Sequence, residues 1–385
     1  LLVNAAGLRA SELAHDPNAA LLAVRIDVAL GRTRLLLGRA GEAHTLLVAT
    51  LPRFDQLPPD PVVGICKSDA LAAIGLALQQ LDRRDEAEAM FRQAMQTASQ
   101  WFATYPGSFL LRRTLLSGHV ALGAQSFLRG DDAEAERHLR AGLALCPPEV
   151  GEPNSPREPA LADRALAADL TLQLADVLSV RHSDGSHDAE VRSLLQRAIT
   201  WRTELLEAQP HVTPPLVDLA MAHNSAAMFA NERHDHEAAA EHAQKACEHQ
   251  RGALAKEPDD ARLRVLLGHH QANLAHALAR LGRSTAALAA AREVQTNAPR
   301  QVSALRLAAG AAAFVATTLP AADEPLAAAN LSHRDDGARV AAAALERILA
   351  VDRKEGRRLL ADPRFAGLRD HPAFQPLFER ASRRP

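Results

Sequence analysis

Small, large and polar residues follow one another in a regular order along this chain. In residues 105–147, apolar side chains recur at spacings of three and four on either side of the polar stretch 129–132. These spacings place side chains on one face of a helix, so the segment predicts two amphipathic helices joined by a solvated turn. The second helix ends before Pro147, because proline cannot continue a helix. It carries small and large residues in alternation, namely Ala135, Leu139 and Gly142.

The same order recurs with a period of about 48 residues. The middle of each first helix holds a marker position, occupied in turn by Gly31, Gly75, Gly123, Thr171, Ala227 and Ala275. In four units a proline lies 17 residues before the marker, at Pro58, Pro106, Pro210 and Pro258. A fixed period shared by several independent positions indicates stacked supersecondary units.

This pattern resembles the tetratricopeptide repeat. The resemblance rests on Leu122-Gly123 followed by Ala135, Leu139, Gly142 and Pro147, and on Ile74-Gly75 followed by Ala87, Phe91 and Ala94. It covers residues 17–299 and implies an all-α solenoid, a right-handed superhelix of about six long helical hairpins. The early Trp of the family is missing, and the period exceeds the family's 34 residues, so we expect both helices to be longer by a turn or two.

The organisation that follows is a repeat region, residues 1–299, and a C-terminal helical cap, residues 300–385. Residues 1–15 are typical of a second helix without its first helix, so we expect the chain to be part of a longer protein. The proline-rich stretch 147–159 predicts a long loop or a hinge. The marker spacing of 56 between the fourth and fifth units predicts a turn enlarged at residues 181–188. In the cap, two similar short segments around Phe365 and Phe374 predict two short helices packed on the last hairpin.

The end of the chain carries a second resemblance. Residues 359–378, LLADPRFAGLRDHPAFQPLF, are similar to the C-terminal end of bacterial serine/threonine kinases of the planctomycete type. In those kinases an N-terminal catalytic domain precedes long-period tetratricopeptide repeats. The resemblance implies that a kinase domain lies outside this chain.

Composition narrows the function classes. The chain is 47% hydrophobic but 3% aromatic, which favours closely packed helices over a β-sandwich. A net charge of −2 argues against nucleic-acid binding, which needs a basic face. Three cysteines without metal spacing fit a reducing, cytoplasmic compartment. The uncharged run 307–322 is shorter than the roughly 20 residues of a membrane span, so we expect a buried helix there and no membrane partner.

We find no catalytic constellation in the sequence. The tripeptide His333-Arg334-Asp335 matches part of a kinase catalytic loop, but Val340 stands where the loop needs Asn. No Gly-rich phosphate loop or nucleophile elbow is present, so we expect no catalytic residue and no cofactor.

Histidine is the enriched chemical group, with eight residues between positions 223 and 276. His242 and His249 share one helix face, as do His269 and His276, but two ligands do not make a structural zinc site. We therefore expect no metal, and we interpret these histidines as polar residues facing solvent or a groove. A His-dependent metal-binding protein stays open as the less favoured alternative.

The tetratricopeptide resemblance implies that the first helices line a concave groove for a protein or peptide ligand. The groove positions that it implies in the fifth and sixth units are Asn224, Met228, Asn231, His269, Asn273, His276 and Arg280. Their side chains can bond peptide backbone and carboxylates. The leading hypothesis is a non-catalytic protein–protein interaction module, the repeat region of a bacterial kinase, that recruits partners or self-associates. The alternative is a free-standing scaffold or co-chaperone.

Overall fold

The structure is a computed structural model that describes residues 17–146, 157–318 and 327–382. In these ranges the chain forms sixteen α-helices and one 3-10 helix, without a β-strand. The chain divides into two compact units, Leu1–Ala198 and Ile199–Pro385, and the boundary falls inside a helix.

The first unit consists of consecutive helical hairpins. Its helices are α1 (Pro17–Leu36), α2 (Ala40–Phe54), α3 (Pro61–Gln80), α4 (Arg84–Thr104), α5 (Phe109–Leu128), α6 (Asp132–Ala144), α7 (Arg157–Arg181) and the start of α8 (Asp188–Ala208). From α1 to α7 each helix packs against the next one along the chain, and the first helices of successive hairpins also contact one another, as in α1 with α3 and α3 with α5.

The second unit continues from the end of α8 with the same arrangement. Its helices are α9 (Pro214–Glu232), α10 (His236–Lys256), α11 (Ala261–Arg280), α12 (Ser284–Asn297), α13 (Val302–Thr318), α14 (Ala327–Val351), α15 (Arg353–Leu360) and α16 (Gln375–Ser382), with a 3-10 helix at Pro363–Leu368. Here α9 contacts α11, and α11 contacts α13. Both units therefore have the architecture of a tetratricopeptide-like α-solenoid, and the all-α prediction is confirmed.

Each predicted hairpin turns at a residue with a positive φ. These six residues are Gly38, Asp82, Gly130, Gly185, His234 and Gly282. Glycine adopts this left-handed conformation without steric cost, whereas a side chain makes it unfavourable. Asp and His are among the residues that tolerate it best, which accounts for the two exceptions.

At the glycine markers the two helices of a hairpin lie in close contact. A Cβ atom built on Gly31 would lie 2.6 Å from the side chain of Leu47, and one on Gly123 would lie 2.7 Å from Leu139. In the fifth and sixth hairpins the marker is Ala227 or Ala275, and both are fully buried. The residue sixteen positions after the marker changes in step, because it is Leu47, Phe91 and Leu139 opposite glycine and Ala243 and Ala291 opposite alanine. The contact between the two helices is thus filled either by a glycine with a large partner or by two alanines.

The fourth hairpin corrects one prediction. The extra residues between Thr171 and Ala227 do not all lie in an enlarged turn. Helix α7 continues ten residues past its marker, whereas α3, α5 and α11 continue five, and the turn itself has six residues instead of three. The insertion is therefore shared between helix and turn, since extending a helix satisfies the backbone hydrogen bonds that a longer loop would leave to solvent.

The C-terminal region begins with a further helix pair. Helices α13 and α14 pack against each other and against α12, and Phe365 and Phe374 then insert into the same core, with ring centroids 6.4 Å apart. Phe365 lies in the 3-10 helix, while Phe374 lies in the turn just before α16. The packing of both rings agrees with the prediction. The domain boundary at residue 299 stays a prediction.

Two predicted segments fall largely outside the described residues. Residues 1–15 lie there entirely, as do residues 147–156 of the predicted hinge, whereas residues 157–159 belong to α7.

One described helix, α3, is long and apolar enough by composition to cross a membrane. More than half of the most apolar stretch of this helix is buried against neighbouring helices, as in a core helix. The uncharged run that begins at residue 307 forms part of α13, and its alanines are buried against α11, α12 and α14 as far as residue 318.

Candidate binding surfaces

The seven predicted groove residues lie on two first helices of the second unit. Asn224, Met228 and Asn231 are on α9, and His269, Asn273, His276 and Arg280 are on α11. Met228 is 47% exposed and Arg280 is exposed, whereas Asn224 is 8% exposed and therefore buried. Asn231, His269, Asn273 and His276 are half-buried.

Asn224 connects the two helices. The Asn273 amide donates a hydrogen bond of 2.9 Å to the Asn224 side-chain oxygen, and the Asn224 amide lies 3.5 Å from the sulfur of Met228. Asn231 is held separately by a contact of 3.4 Å to the ring of His236. Asn224 and Asn273 thus form a polar connection between α9 and α11. Met228 and Arg280 remain the most accessible of the seven.

The histidines of the second unit are more buried than the sequence indicated. The Nδ1 atoms of His223 and His242 are 3.0 Å apart, and the ring of His249 stacks on His223 at 5.7 Å. Burial, followed by the neighbouring rings of His242 and His249, lowers the pKa of His223 to about 4. Since burial disfavours the charged form, these rings are neutral at pH 7. The expectation that the histidines face solvent or the groove is wrong for His223 and for the fully buried His270.

An equivalent pair lies in the first unit. The Nδ1 atoms of His119 and His138 are 3.3 Å apart, and both pairs occupy positions four before and fifteen after the marker. Within the described ranges, no group of three or more His, Cys, Asp or Glu residues is arranged to hold a metal ion.

His276 and Arg280 face a cavity of about 210 Å³ in the second unit. Besides Ala279, its walls come from α13 and the 3-10 helix and consist of Leu307, Gly310, Ala311, Phe314, Thr317 and Arg364. The Arg280 guanidinium lies 4.6 Å from the centroid of the Phe314 ring. Burial, followed by the charges of Arg280, His236 and Arg364, lowers the pKa of His276 to about 4.

A second concave surface, formed by α1, α3 and α5 in the first unit, was not found from the sequence. It contains two adjoining cavities of about 200 and 460 Å³ that share Arg32, Asp69, Arg113 and Thr114 as lining residues. Its lining also includes a third arginine, Arg25, and the apolar side chains of Leu76 and Leu110. We call this surface the arginine groove.

The charges of the arginine groove are unequal. Arg32 forms a salt bridge of 2.9 Å with Asp69, the one carboxylate among the described lining residues. The Arg113 guanidinium lies 5.7 Å from the centroid of the Phe109 ring. In the described part of the chain neither Arg25 nor Arg113 forms a salt bridge, although the charge of Arg113 acts on the Asp163 carboxylate, which pairs with Arg112. The groove is therefore positive and partly apolar, although the chain as a whole is slightly negative.

The signal for this groove was present in the sequence. Arg25 and Asp69 occupy the same repeat position, six residues before their markers, and Arg113 lies on the next first helix. The enrichment of histidine lies in the fifth and sixth units, and it gives no information about charged residues on the first helices of the earlier units.

The tripeptide His333-Arg334-Asp335 lies inside α14. His333 contacts Thr285 at 2.9 Å, Arg334 donates to the backbone oxygen of Ala316 at 3.2 Å, and Asp335 pairs with His371 at 3.0 Å. These three residues connect α14 to α12, to α13 and to the segment after the 3-10 helix.

Neither a family model nor a curated protein matches the sequence. Among solved structures, the chain is similar to a thermophilic TPR protein of Thermus thermophilus, with 16% identity, a TM-score of 0.35, and coverage of 63% of this chain and 98% of that one. A Rap protein complexed with competence and sporulation factor gives 11% identity, a TM-score of 0.40, and coverage of 94% and 97%. The IFIT1 monomeric mutant with Gppp-AAAA gives 12% identity, a TM-score of 0.31, and coverage of 93% and 90%. Similarity at this level concerns the helical-repeat fold and carries no argument about a ligand.

Proposed function

We propose that this chain is a non-catalytic protein–protein interaction module whose first helices hold a segment of another polypeptide. The observation that carries the proposal is the arginine groove, which exposes guanidinium groups beside apolar side chains. Arginine forms paired, charge-assisted hydrogen bonds with carboxylates. The partner segment therefore combines acidic residues with apolar ones. The seven residues of α9 and α11 form a second contact surface, in which Met228 and Arg280 face the partner and the pair Asn224 and Asn273 positions the two helices.

A peptide-display selection tests this function directly. The library is panned against the intact chain and counter-selected against an Arg25→Glu/Arg113→Glu variant. We expect enriched peptides that carry acidic and apolar residues and bind the double variant at least about tenfold more weakly, because two favourable charge pairs become repulsive.

The matched control reverses two other exposed arginines of the first unit, Arg84 and Arg137. It changes the net charge equally, so its affinity for the selected peptides should stay within about twofold of the wild type. If selection yields no saturable binder, or if binders lose affinity equally in both double variants, the interaction-module proposal is wrong.

We also propose that the module belongs to a bacterial serine/threonine kinase and acts in the cytoplasm. The tail sequence 359–378 and the long repeat period support this assignment. An immunoblot of the native protein from its own cells tests it. A band larger than the 41.3 kDa of this chain by roughly 30 kDa or more leaves room for a catalytic domain. A band near 41.3 kDa favours the free-standing scaffold or co-chaperone instead.

Self-association of the module is a separate proposal. The first unit exposes large apolar side chains on its first helices, including Leu22, Leu76 and Leu110, and exposed apolar surface marks interaction sites. Sedimentation velocity over a concentration series shows a shift toward a dimer if this proposal is correct and one monomeric species if it is wrong.

A further inference from the structure

The cavity between α11, α13 and the 3-10 helix has the size of a small-molecule site. Its volume of about 210 Å³ exceeds the roughly 150 Å³ of a dry protein cavity that holds benzene. Leu307, Ala311 and Phe314 supply apolar walls, and the α-carbon of Gly310 leaves space where a side chain would stand. Among the described residues, a Cβ on Gly310 would meet one atom within 4 Å, Arg364 Nη1 at 3.5 Å.

The charges around the cavity are one-sided. Its described lining residues include two guanidinium groups and no carboxylate. Arg364 is neutralised by Asp362, with hydrogen bonds of 3.0 and 2.8 Å. Arg280 pairs with no carboxylate in the described part of the chain and lies over the Phe314 ring. One positive charge at the cavity therefore lacks an anionic partner among the residues that the structure describes.

His276 adds a neutral polar group to the same wall. Burial, then the nearby positive charges, lowers the pKa of His276 to about 4, so the ring is uncharged at pH 7. A neutral imidazole can donate one hydrogen bond or accept one without adding to the local charge. The cavity thus offers one guanidinium group without an anionic partner among the described residues, one neutral polar ring and mostly apolar walls.

We propose that this cavity binds a small monocarboxylic acid with a compact aromatic or branched aliphatic body. The carboxylate pairs with Arg280, whose planar fork matches the two oxygens, and the body packs against Leu307, Ala311 and Phe314. Acetate lacks the body and inorganic phosphate lacks the apolar surface, so both bind more weakly. This site does not involve the arginine groove. It shares Arg280 with the contact surface of α9 and α11, so a bound acid and a partner segment compete for that side chain.

Calorimetric titration of the full chain at pH 7 tests the proposal, with benzoate, benzamide, acetate and inorganic phosphate as probes. We expect benzoate to bind saturably with one site per chain and the three other probes to bind at least about tenfold more weakly. Arg280→Gln keeps the stem of the side chain but removes the charge, and it should weaken benzoate about tenfold or more. Gly310→Leu fills the cavity and should abolish binding. Arg300→Gln is the control, because Arg300 is exposed in the turn after α12 and does not line the cavity, so its affinity should equal that of the wild type.

Far-UV circular dichroism establishes whether each variant is folded. If Gly310→Leu does not fold, the Arg280→Gln variant alone decides the outcome. The proposal is overturned if benzoate shows no saturable binding below about 10 mM. Equal binding of benzamide or phosphate, or an unchanged benzoate affinity in Arg280→Gln, also overturns it. The arginine groove is unaffected by any of these results.

Discussion

The pairing of the marker with its large partner predicts a specific energetic coupling. A methyl group added by Gly123→Ala would lie 2.7 Å from the Leu139 side chain, well inside the 3.5–4.0 Å of a favourable carbon contact. Overpacking costs about 1–3 kcal/mol, and replacing a helical glycine returns about 0.5–1 kcal/mol. Gly123→Ala should therefore destabilise the first unit by about 0–2.5 kcal/mol.

Leu139→Ala should cost about 2–5 kcal/mol, because Leu139 is fully buried. The double variant reproduces the alanine pair found at 227 and 243. In it, the methyl group of residue 123 occupies space vacated by the leucine. We therefore expect the double variant to be at least about 1 kcal/mol more stable than the sum of the single effects predicts.

The assay is urea unfolding followed by tryptophan fluorescence. The chain has two tryptophans, Trp101 in the first unit and Trp201 in the second. In a Trp201→Phe background the fluorescence signal reports on the first unit, because Trp101 packs against a buried cluster that includes Leu111 and Leu115 of α5. In the control Gly41→Ala, no atom of the described residues lies within 4 Å of the new methyl group, so the change should be neutral or stabilising by up to about 1 kcal/mol. Additive effects of Gly123→Ala and Leu139→Ala, within about 0.5 kcal/mol, would refute the packing explanation.

Three further predictions concern single side chains. His234→Gly should stabilise the second unit by about 0.5–1 kcal/mol, measured by urea unfolding, because φ at this turn residue is 60° and a side chain is unfavourable there. Both ring nitrogens of His270 are buried without a hydrogen-bond partner among the described residues. His270→Leu should therefore raise the free energy of unfolding by about 1 kcal/mol at pH 7 and make it less dependent on pH. Urea unfolding from pH 7 to pH 4.5 measures both effects. Arg112→Met should destabilise the first unit by about 3–5 kcal/mol in the same assay, because it leaves the buried carboxylate of Asp163 without the hydrogen bonds of 2.9 and 3.1 Å that Arg112 donates.

The pH dependence of the His270 effect follows from its titration. Burial, then His269, lowers the pKa of His270 from 6.5 to about 4. The unfolded chain therefore binds the proton first as the pH falls, and stability decreases between pH 6.5 and pH 4, by at most about 3 kcal/mol for this group. His270→Leu removes this part of the acid sensitivity, and an unchanged pH profile would contradict the assignment.

The controls for the other two predictions come from the chain itself. Gly282→Ala places a side chain at φ 72° and should destabilise the second unit by about 1 kcal/mol, the reverse of His234→Gly. A stability change of the same sign in both variants would count against the role of φ at these turns. Arg112→Met combined with Asp163→Leu should restore most of the lost stability, since an apolar pair can replace a buried ion pair. Burial raises the pKa of Asp163, so the loss in the single variant should be smaller at acidic pH, where the carboxyl group is neutral. A loss independent of pH would argue against a stranded charge.

The repeat pattern alone determined the helices, their pairing and the close approach at the markers. Each hairpin packs mainly on its neighbours, so its requirements recur at fixed sequence intervals and can be recognised without coordinates. Gly123 and Leu139 illustrate this, because both the small residue and its large partner stand at repeat positions. Pro106 and the turn at Gly130 mark the start and the reversal of the same unit.

The tertiary structure decided which surfaces remain available for binding. Asn224 on α9 accepts a hydrogen bond from Asn273 on α11, 49 residues later in the chain. No local sequence pattern indicates this contact between two helices. Asn224 is buried there and is not available in the groove. Arg280, Phe314 and Arg364 form a cavity because three elements far apart in sequence converge there. The sequence period reflects the helix contacts that recur in every hairpin. A binding site depends instead on side chains that differ from one hairpin to the next.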